Sequence, residues 1–521
     1  MGKNRKYDVV ITGGRVMDPE TGLDEIRNVG IDGETIAAVT VDSIEGNETI
    51  DAKGHVVCPG FIEAHQHATD PFSRKVNLRD GLTTMMDFEA GARDVGMWYD
   101  DAEGTTQANY GMVVCAMFAR CSVLDGPEVA ALGNDAGGLF SGVINAAGAK
   151  AQKEGRKMGW SSILPTQQQM SDIMAIMDEG LRQGALGVGI PIGYMTEGVT
   201  QYEMFKYQEL AALYGRLSNG HTRFAGILPP TEGALGIQEM LCNAMVLDAP
   251  FLAAHLNSIQ DYEYTIPLIN KARERGAKTW GEVYPYSAGS TIASTDVISE
   301  AQMPSLGITY SDVSNLDGTR WDKAMYDDVR KNDPGRAILI YNNPEEDVPK
   351  WLAQPDVVVV SDGMPIQDEN LEYYPWDSPY EGKSCHPRSS GTRAKVLRLV
   401  REQKNMPLME AISKMTYLHA KFMDELGGIP HFRTKGRVQE GCDADIVVFD
   451  PDTVTDNAGY EPGKGALPST GIPYVLVNGT IVVKDSEVQK VFPGKPIRFP
   501  VQPKGRLDQL SINPRKPRFK G

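Results

Sequence analysis

The sequence predicts an α/β protein, a TIM-like (β/α)8 barrel with a small β-sandwich assembled from both chain ends. Three observations carry this expectation. Between about Cys58 and Gly428, eight apolar strand-like runs alternate with amphipathic helical stretches, the rhythm of repeated βα units. The first sixty residues read instead as short strands broken by Gly and Asp, and the same texture returns near the end in GCDADIVVFDP and YVLVNGTIVVKD. An open doubly wound sheet is the alternative, but no G-x-G-x-x-G follows the first strand.

Taken in order, YDVVITG, RVMD, NVGIDG, TIAAVTV and TIDAKGHVV form the first sheet segment. Residues 1–60 and 430–490 are expected to make one small domain, since the ends of a domain's chain are often close together. The barrel spans 61–429. Its strand candidates are VVCPGFIEAHQH, LTTMMDFEAG, GMVVCAMFA, ALGVGIPIG, GRLSNGHTR, PFLAAHLNS, TWGEVYPY and DVVVVSDG. Between them, Met170, Ile173, Met174, Met177 and Leu181 share a helical face, as do Phe205, Leu210 and Leu213, and Ile266, Ile269 and Ala272. Residues 290–354 break the alternation, with prolines and the acidic run PEEDVP; they read as a lid over the barrel mouth or as a plain surface insertion. Residues 491–521, rich in Lys, Arg and Pro, form a tail expected to fray.

Composition narrows the partners. The 521 residues carry 69 acidic and 52 basic side chains, a formal charge of −17. That balance argues against nucleic acid, whose phosphates attract a basic surface, and favours a small-molecule substrate. Six cysteines lie scattered with no C-x-x-C, which fits free thiols. No apolar run approaches the ~18 residues of a membrane span, and MGKNRKYDVVITGG lacks the apolar stretch of a signal peptide, so no membrane partner and a cytoplasmic location are expected.

The chemistry gathers at the strand ends. The first strand ends in His65-Gln66-His67, the second in Asp87 and Glu89, the fifth in His221, the sixth in His255 and the eighth in Asp362. Four of the eight histidines thus occupy positions that a (β/α)8 barrel brings to one rim. Imidazole and carboxylate together suit a divalent cation such as zinc. A lone H-x-H is weak evidence and Ser361-Asp362-Gly363 alone would be a turn, but the ordered set is harder to dismiss. His55, His386, His419 and His431 read as structural.

PGFIEAHQH, SNGHTRF, AAHLNS, EVYPYSAGST, VVSDGMP and HPRSSGTRAKVLRLVRE resemble the successive motifs of the amidohydrolase superfamily, and within it the D-aminoacylase (N-acyl-D-amino-acid deacylase) family. KGRVQEGCDADIVVFDPDTV and IPYVLVNGTIVV resemble that family's closing segments, so the likeness runs from about Tyr7 to Lys484. The resemblance implies a metal-dependent hydrolase cleaving a linear amide, with His221 and His255 on a tightly held zinc and His65 and His67 at a second, weaker position. Asp362 would be the catalytic carboxylate, taking a proton from activated water and returning it to the leaving amine. The cysteine that the family carries after strand two is missing from TTMMDFEAG; Glu89, one position before, is the expected replacement and Asp87 its rival. The resemblance also assigns substrate-carboxylate contacts to Arg223, Tyr284, Ser290 and Arg388, with Asn257 where relatives place a lysine, and allows a homo-oligomer. A cyclic-amide hydrolase of the hydantoinase kind is disfavoured because ALGVGIPIG carries no lysine. A non-catalytic scaffold is disfavoured because the ligand-type residues are present.

Overall fold

The computed structural model describes residues 6–224, 226, 234–258 and 261–512. Residues 1–5 and 513–521, the outermost parts of the expected small domain and tail, lie outside the described residues.

The chain begins with β1 (Lys6–Asp18), β2 (Leu23–Asp32), β3 (Thr35–Thr40), β4 (Glu45–Asp51) and β5 (Val56–Pro59). Gly60 then leads into the barrel strands β6 (Phe61–Glu63), β7 (Leu82–Ala92), β8 (Asn109–Cys115), β9 (Gly187–Ile190), β10 (Leu217–Gly220), β11 (Phe251–Ala253) and β12 (Thr279–Val283). An insertion holds β13 (Gly289–Ile292), β14 (Val313–Asn315) and β15 (Ala337–Ile340) before β16 (Val357–Val359) completes the barrel. The chain returns to the first sheet with β17 (Ile446–Phe449), β18 (Tyr474–Val477), β19 (Thr480–Lys484) and β20 (Glu487–Val488). That sheet has nine strands, ordered β20-β19-β18-β17-β5-β1-β2-β3 with β4 beside β1, and the antiparallel β17–β5 pairing joins the two chain ends.

The barrel runs β16-β12-β11-β10-β9-β8-β7-β6 with every pair parallel. Its seam, between β6 and β16, closes beyond the strands themselves. Asp362 N donates to His65 O and His67 N to Gly363 O, both at 2.8 Å. The buried Glu63 carboxylate accepts from His65 N at 2.8 Å and Ser361 N at 2.9 Å, and pairs with Arg393 at 2.8 Å. The bonds that close the barrel therefore also set His65, His67 and Asp362 side by side. Ile62, Met86, Val113, Leu186, Leu217, Leu252, Trp280 and Val358, one from each strand or its entry, pack as one apolar cluster, as residues facing across a barrel must.

The structure adjusts three expectations. The buried face of the helix Gln201–Leu213 is Met204, Tyr207, Leu210 and Ala211, with Phe205 and Leu213 half-buried at its margin. A stripe wide enough to cover a barrel strand takes in neighbours of the residues that periodicity selects. The insertion has its own antiparallel sheet, β13-β15-β14, and its own apolar cluster around Ile298, Trp321, Tyr326 and Ile338. The tail does not fray up to residue 512. Tyr110 N donates to Lys495 O, Ile497 N to Tyr110 O and Phe499 N to Gly184 O, pairing main chain at the entry of β8, and Ile497 joins the cluster inside the barrel. All six cysteines are free thiols.

Candidate metal centre

His65, His67, His221, His255 and Asp362 follow the C-terminal ends of their strands, and Glu89 lies in the far end of β7. His65 Nε2 is 2.8 Å from Glu89 Oε2 and 3.4 Å from Asp362 Oδ1; for His67 Nε2 the distances are 3.2 and 3.3 Å. The other Glu89 oxygen, Oε1, lies 2.9 Å from His221 Nδ1 and 3.7 Å from His255 Nε2, and those two nitrogens are 2.9 Å apart. Two ligand-type clusters thus share one carboxylate, an oxygen to each.

Local backbone makes this possible. Gly91, at φ 60°, introduces a register shift where β7 passes β8, just after Glu89. A side chain at Gly189 would sit 2.0 Å from the Glu89 carbonyl oxygen, so β9 approaches Glu89 closely because it has none there. His255 and Asp362 adopt φ 27° and 51°, uncommon for residues with a Cβ, and such strain of about 1–3 kcal/mol persists where surrounding structure over-determines it.

The donor set fits a divalent cation. Bonds of ~2.0–2.1 Å in a tetrahedral site separate ligand atoms by about 3.3 Å, close to the spacings around His65, His67, Glu89 and Asp362. Glu89 Oε1 is buried and makes no hydrogen bond, despite lying 2.9 Å from His221 Nδ1. Two atoms so close without hydrogen-bond geometry suit lone pairs directed at a common ion. Outside the clusters, His67 Nδ1 donates to Asp87 Oδ2 at 2.9 Å and His65 Nδ1 to Glu282 Oε1. Asp87 Oδ1 accepts from the backbone of Glu89 and Ala90, so Asp87 orients His67 and the Glu89 turn and lies outside both clusters.

Electrostatics follow from this crowding. Burial opposes charge on the His65 imidazole, but Glu282, Asp362 and Glu89 outweigh it and hold its pKa well above the usual range. His67 is raised in the same way, with Asp87 outweighing burial. Burial would raise Glu89, yet His65, His221 and His255 hold it well below the usual carboxylate range. Asp362 is likewise lowered, burial being overcome by Arg388 and His65. His255 is lowered by burial and by His221. The carboxylates gather positive charge at the place where a cation would sit.

Beside the centre lies a cavity walled by Tyr194, Phe224 and Tyr284 and, from the insertion, by Ser290, Leu306 and Ile340. His221, His255 and Asp362 line it. Of the five expected substrate contacts, Tyr284 and Ser290 face it; the Tyr284 hydroxyl is 2.8 Å from Ser258 Oγ. Arg223 also lines it, but its guanidinium binds Glu239 at 2.5 and 2.9 Å and the Val199 carbonyl at 2.7 Å, which makes it a structural ion pair. Asn257 is wholly buried, exchanges hydrogen bonds of 3.1 and 3.2 Å with the Tyr284 backbone and is not among the residues lining the cavity. Arg388 is buried behind the cavity wall, 3.1 Å from Asp362 Oδ2 and donating to Ser290 O at 3.3 Å. The sequence reading missed Glu282. Its signal was an acidic residue inside the otherwise apolar run TWGEV, where a buried charge needs a partner.

No protein-family model matches the chain. It is 28% identical over 506 residues to the N-acyl-D-glutamate deacylase of Alcaligenes xylosoxydans xylosoxydans, covering 92% of this chain and 94% of that protein. The D-aminoacylase of the same organism is 26% identical over 507 residues, covering 92% and 95%. Among solved structures, Bordetella bronchiseptica N-acyl-D-glutamate deacylase, complexed with zinc and a phosphonate inhibitor, shares the fold at a TM-score of 0.71 and 22% identity, over 95% of this chain and 100% of that one. The likeness runs from end to end of both chains rather than through one motif, so along its whole length this chain is similar to the D-aminoacylases and N-acyl-D-glutamate deacylases.

Proposed function

We propose that this metal-dependent amidohydrolase removes the acyl group from an N-acyl amino acid, with D-configured substrates the first candidates because both relatives act on them by name. The observation that carries the reading is the convergence of four imidazoles and two carboxylates on the edge of a cavity. His65, His67, Glu89, His221 and His255 would hold the ion, with zinc the cation of choice for this donor set. A divalent cation held there supplies Lewis acidity, polarising an amide carbonyl and acidifying water towards a pKa near ~7.

The chain's own residues supply the rest. Asp362 is kept ionised beside the cavity, so it can accept a proton at Oδ1 and return it to the leaving amine. Arg388 holds the opposite oxygen, fixing the carboxylate's orientation. Tyr284 and Ser290 offer hydroxyls to the substrate's polar groups, and Phe224, Leu306 and Ile340 exclude water. The test is a hydrolysis screen of N-acyl-D- and N-acyl-L-amino acids beside cyclic imides, with zinc supplied. Turnover of linear N-acyl substrates above cyclic ones is expected; turnover confined to cyclic imides, or none with the ion bound, overturns the proposal.

A further inference from the structure

Charge is unevenly distributed around the cavity. Among the described residues, Arg223 is the one Lys or Arg that lines it, and Glu239 takes both prongs of its guanidinium. Arg388, behind the wall, is committed to Asp362 and to the Ser290 carbonyl. Positions 225, 227–233 and 259–260, outside the described residues, contain no Lys or Arg. The α-carboxylate of an N-acyl amino acid can meet the hydroxyls of Tyr284 and Ser290, but the described wall keeps no free Lys or Arg for a second carboxylate.

The insertion adds a carboxylate of its own to that wall. Asp296 is half-buried at the start of the 3-10 turn Asp296–Ile298, and among the described residues no base lies within ion-pair distance of it. Lys157 and Arg330, whose charges act on it from further off, line a neighbouring cleft instead. Lys157 pairs with Glu197 at 2.7 Å, and Arg330 donates to the carbonyls of Ala293 and Thr295 at 2.8 and 2.9 Å. Val297, Leu306 and Ile340 of the insertion, with Phe224 after β10, give the cavity an apolar surface. An apolar side chain gains by leaving water for such a surface. A carboxylate entering there would be desolvated, unpaired and close to a like charge, and each of these opposes it.

We infer that this cavity selects N-acyl amino acids with an apolar side chain, and that Asp296 is the specificity-determining residue that turns acidic side chains away. The inference rests on the proposed deacylation and names the part of the substrate which that reading leaves open.

The full chain, loaded with zinc, is given N-acetyl-leucine, N-acetyl-glutamine and N-acetyl-glutamate in the configuration that it hydrolyses, and kcat/KM is measured for each. Glutamine and glutamate differ in charge at nearly equal size, so their ratio reads the charge and cancels any loss of folded protein. Wild type is expected to prefer leucine to glutamine, and glutamine to glutamate by about tenfold. Asp296→Asn should close most of the glutamine-to-glutamate gap, and Asp296→Lys, which brings a cation to the wall, should put glutamate ahead. Leu306→Ser should cut the leucine-to-glutamine ratio about tenfold, since the substrate's methyl groups lose an apolar contact. Wild type that hydrolyses glutamate as fast as glutamine, or glutamine as fast as leucine, overturns the inference while deacylation stands. So does a glutamine-to-glutamate gap unmoved in both Asp296 variants. No hydrolysis of any of the three overturns the deacylation itself, and the inference with it.

Discussion

Asp362 stands between two imidazoles and a guanidinium, with its backbone donating across the barrel seam to His65. Asp362→Asn leaves an amide oxygen where the carboxylate was, so the protein should keep its ion. It loses the group that moves a proton, and turnover should fall ~10²–10⁴-fold. Measuring ion content and kcat together separates the two effects, and near-normal kcat would remove Asp362 from the chemistry. Glu89 contributes an oxygen to each cluster, whereas Asp87 touches His67 and backbone. Glu89→Ala should therefore lower zinc content further than Asp87→Ala; the reverse ranking in elemental analysis would exchange their roles. At this scale the strand-end histidines and Asp362 were legible because they break apolar runs. Arg223 and Asn257 were not, since their partners, Glu239 and the Tyr284 backbone, lie 16 and 27 residues away.

The elements hold the site through pairings that periodicity does not encode. The helix Tyr417–Glu425 is tied to β16 by His419, whose Nε2 donates to Val359 O at 2.8 Å. Burial pushes the His419 pKa down to about 3, against ~6.5 in an unfolded chain. Because the neutral form is the one the fold accepts, this contribution to stability is complete above pH ~6.5 and declines as pH falls towards 3. Thermal melts of wild type and His419→Gln between about pH 7.5 and 4.5 should show the wild-type advantage shrinking with acidity; a constant gap would rule His419 out as the cause. All eight barrel strands were readable as apolar runs, although several span three or four residues. The helical faces were read less accurately, as Phe205 and Leu213 show, because the edge of a buried stripe depends on what packs against it.

Across the whole molecule, three distant segments complete the barrel. Glu63 closes its seam, the insertion walls the cavity, and the stretch to residue 512 crosses its base. A chain ending at Gln489 should expose the site of Ile497, a loss of about 2 kcal/mol for one buried aliphatic side chain, and melt about 2 °C lower. An unchanged melting midpoint would mean that the crossing adds nothing. The order of strands, the gathering of histidines at their ends and the union of both termini in one sheet were written in the sequence, because each follows from local alternation and from punctuation by Gly and Asp. Whether a buried polar group meets substrate, an ion or another residue was decided by tertiary structure. Arg223, Asn257, Arg388, Glu282 and the tail show why: each is settled by a partner brought close in space from far along the chain, and local patterning carries no record of that distance.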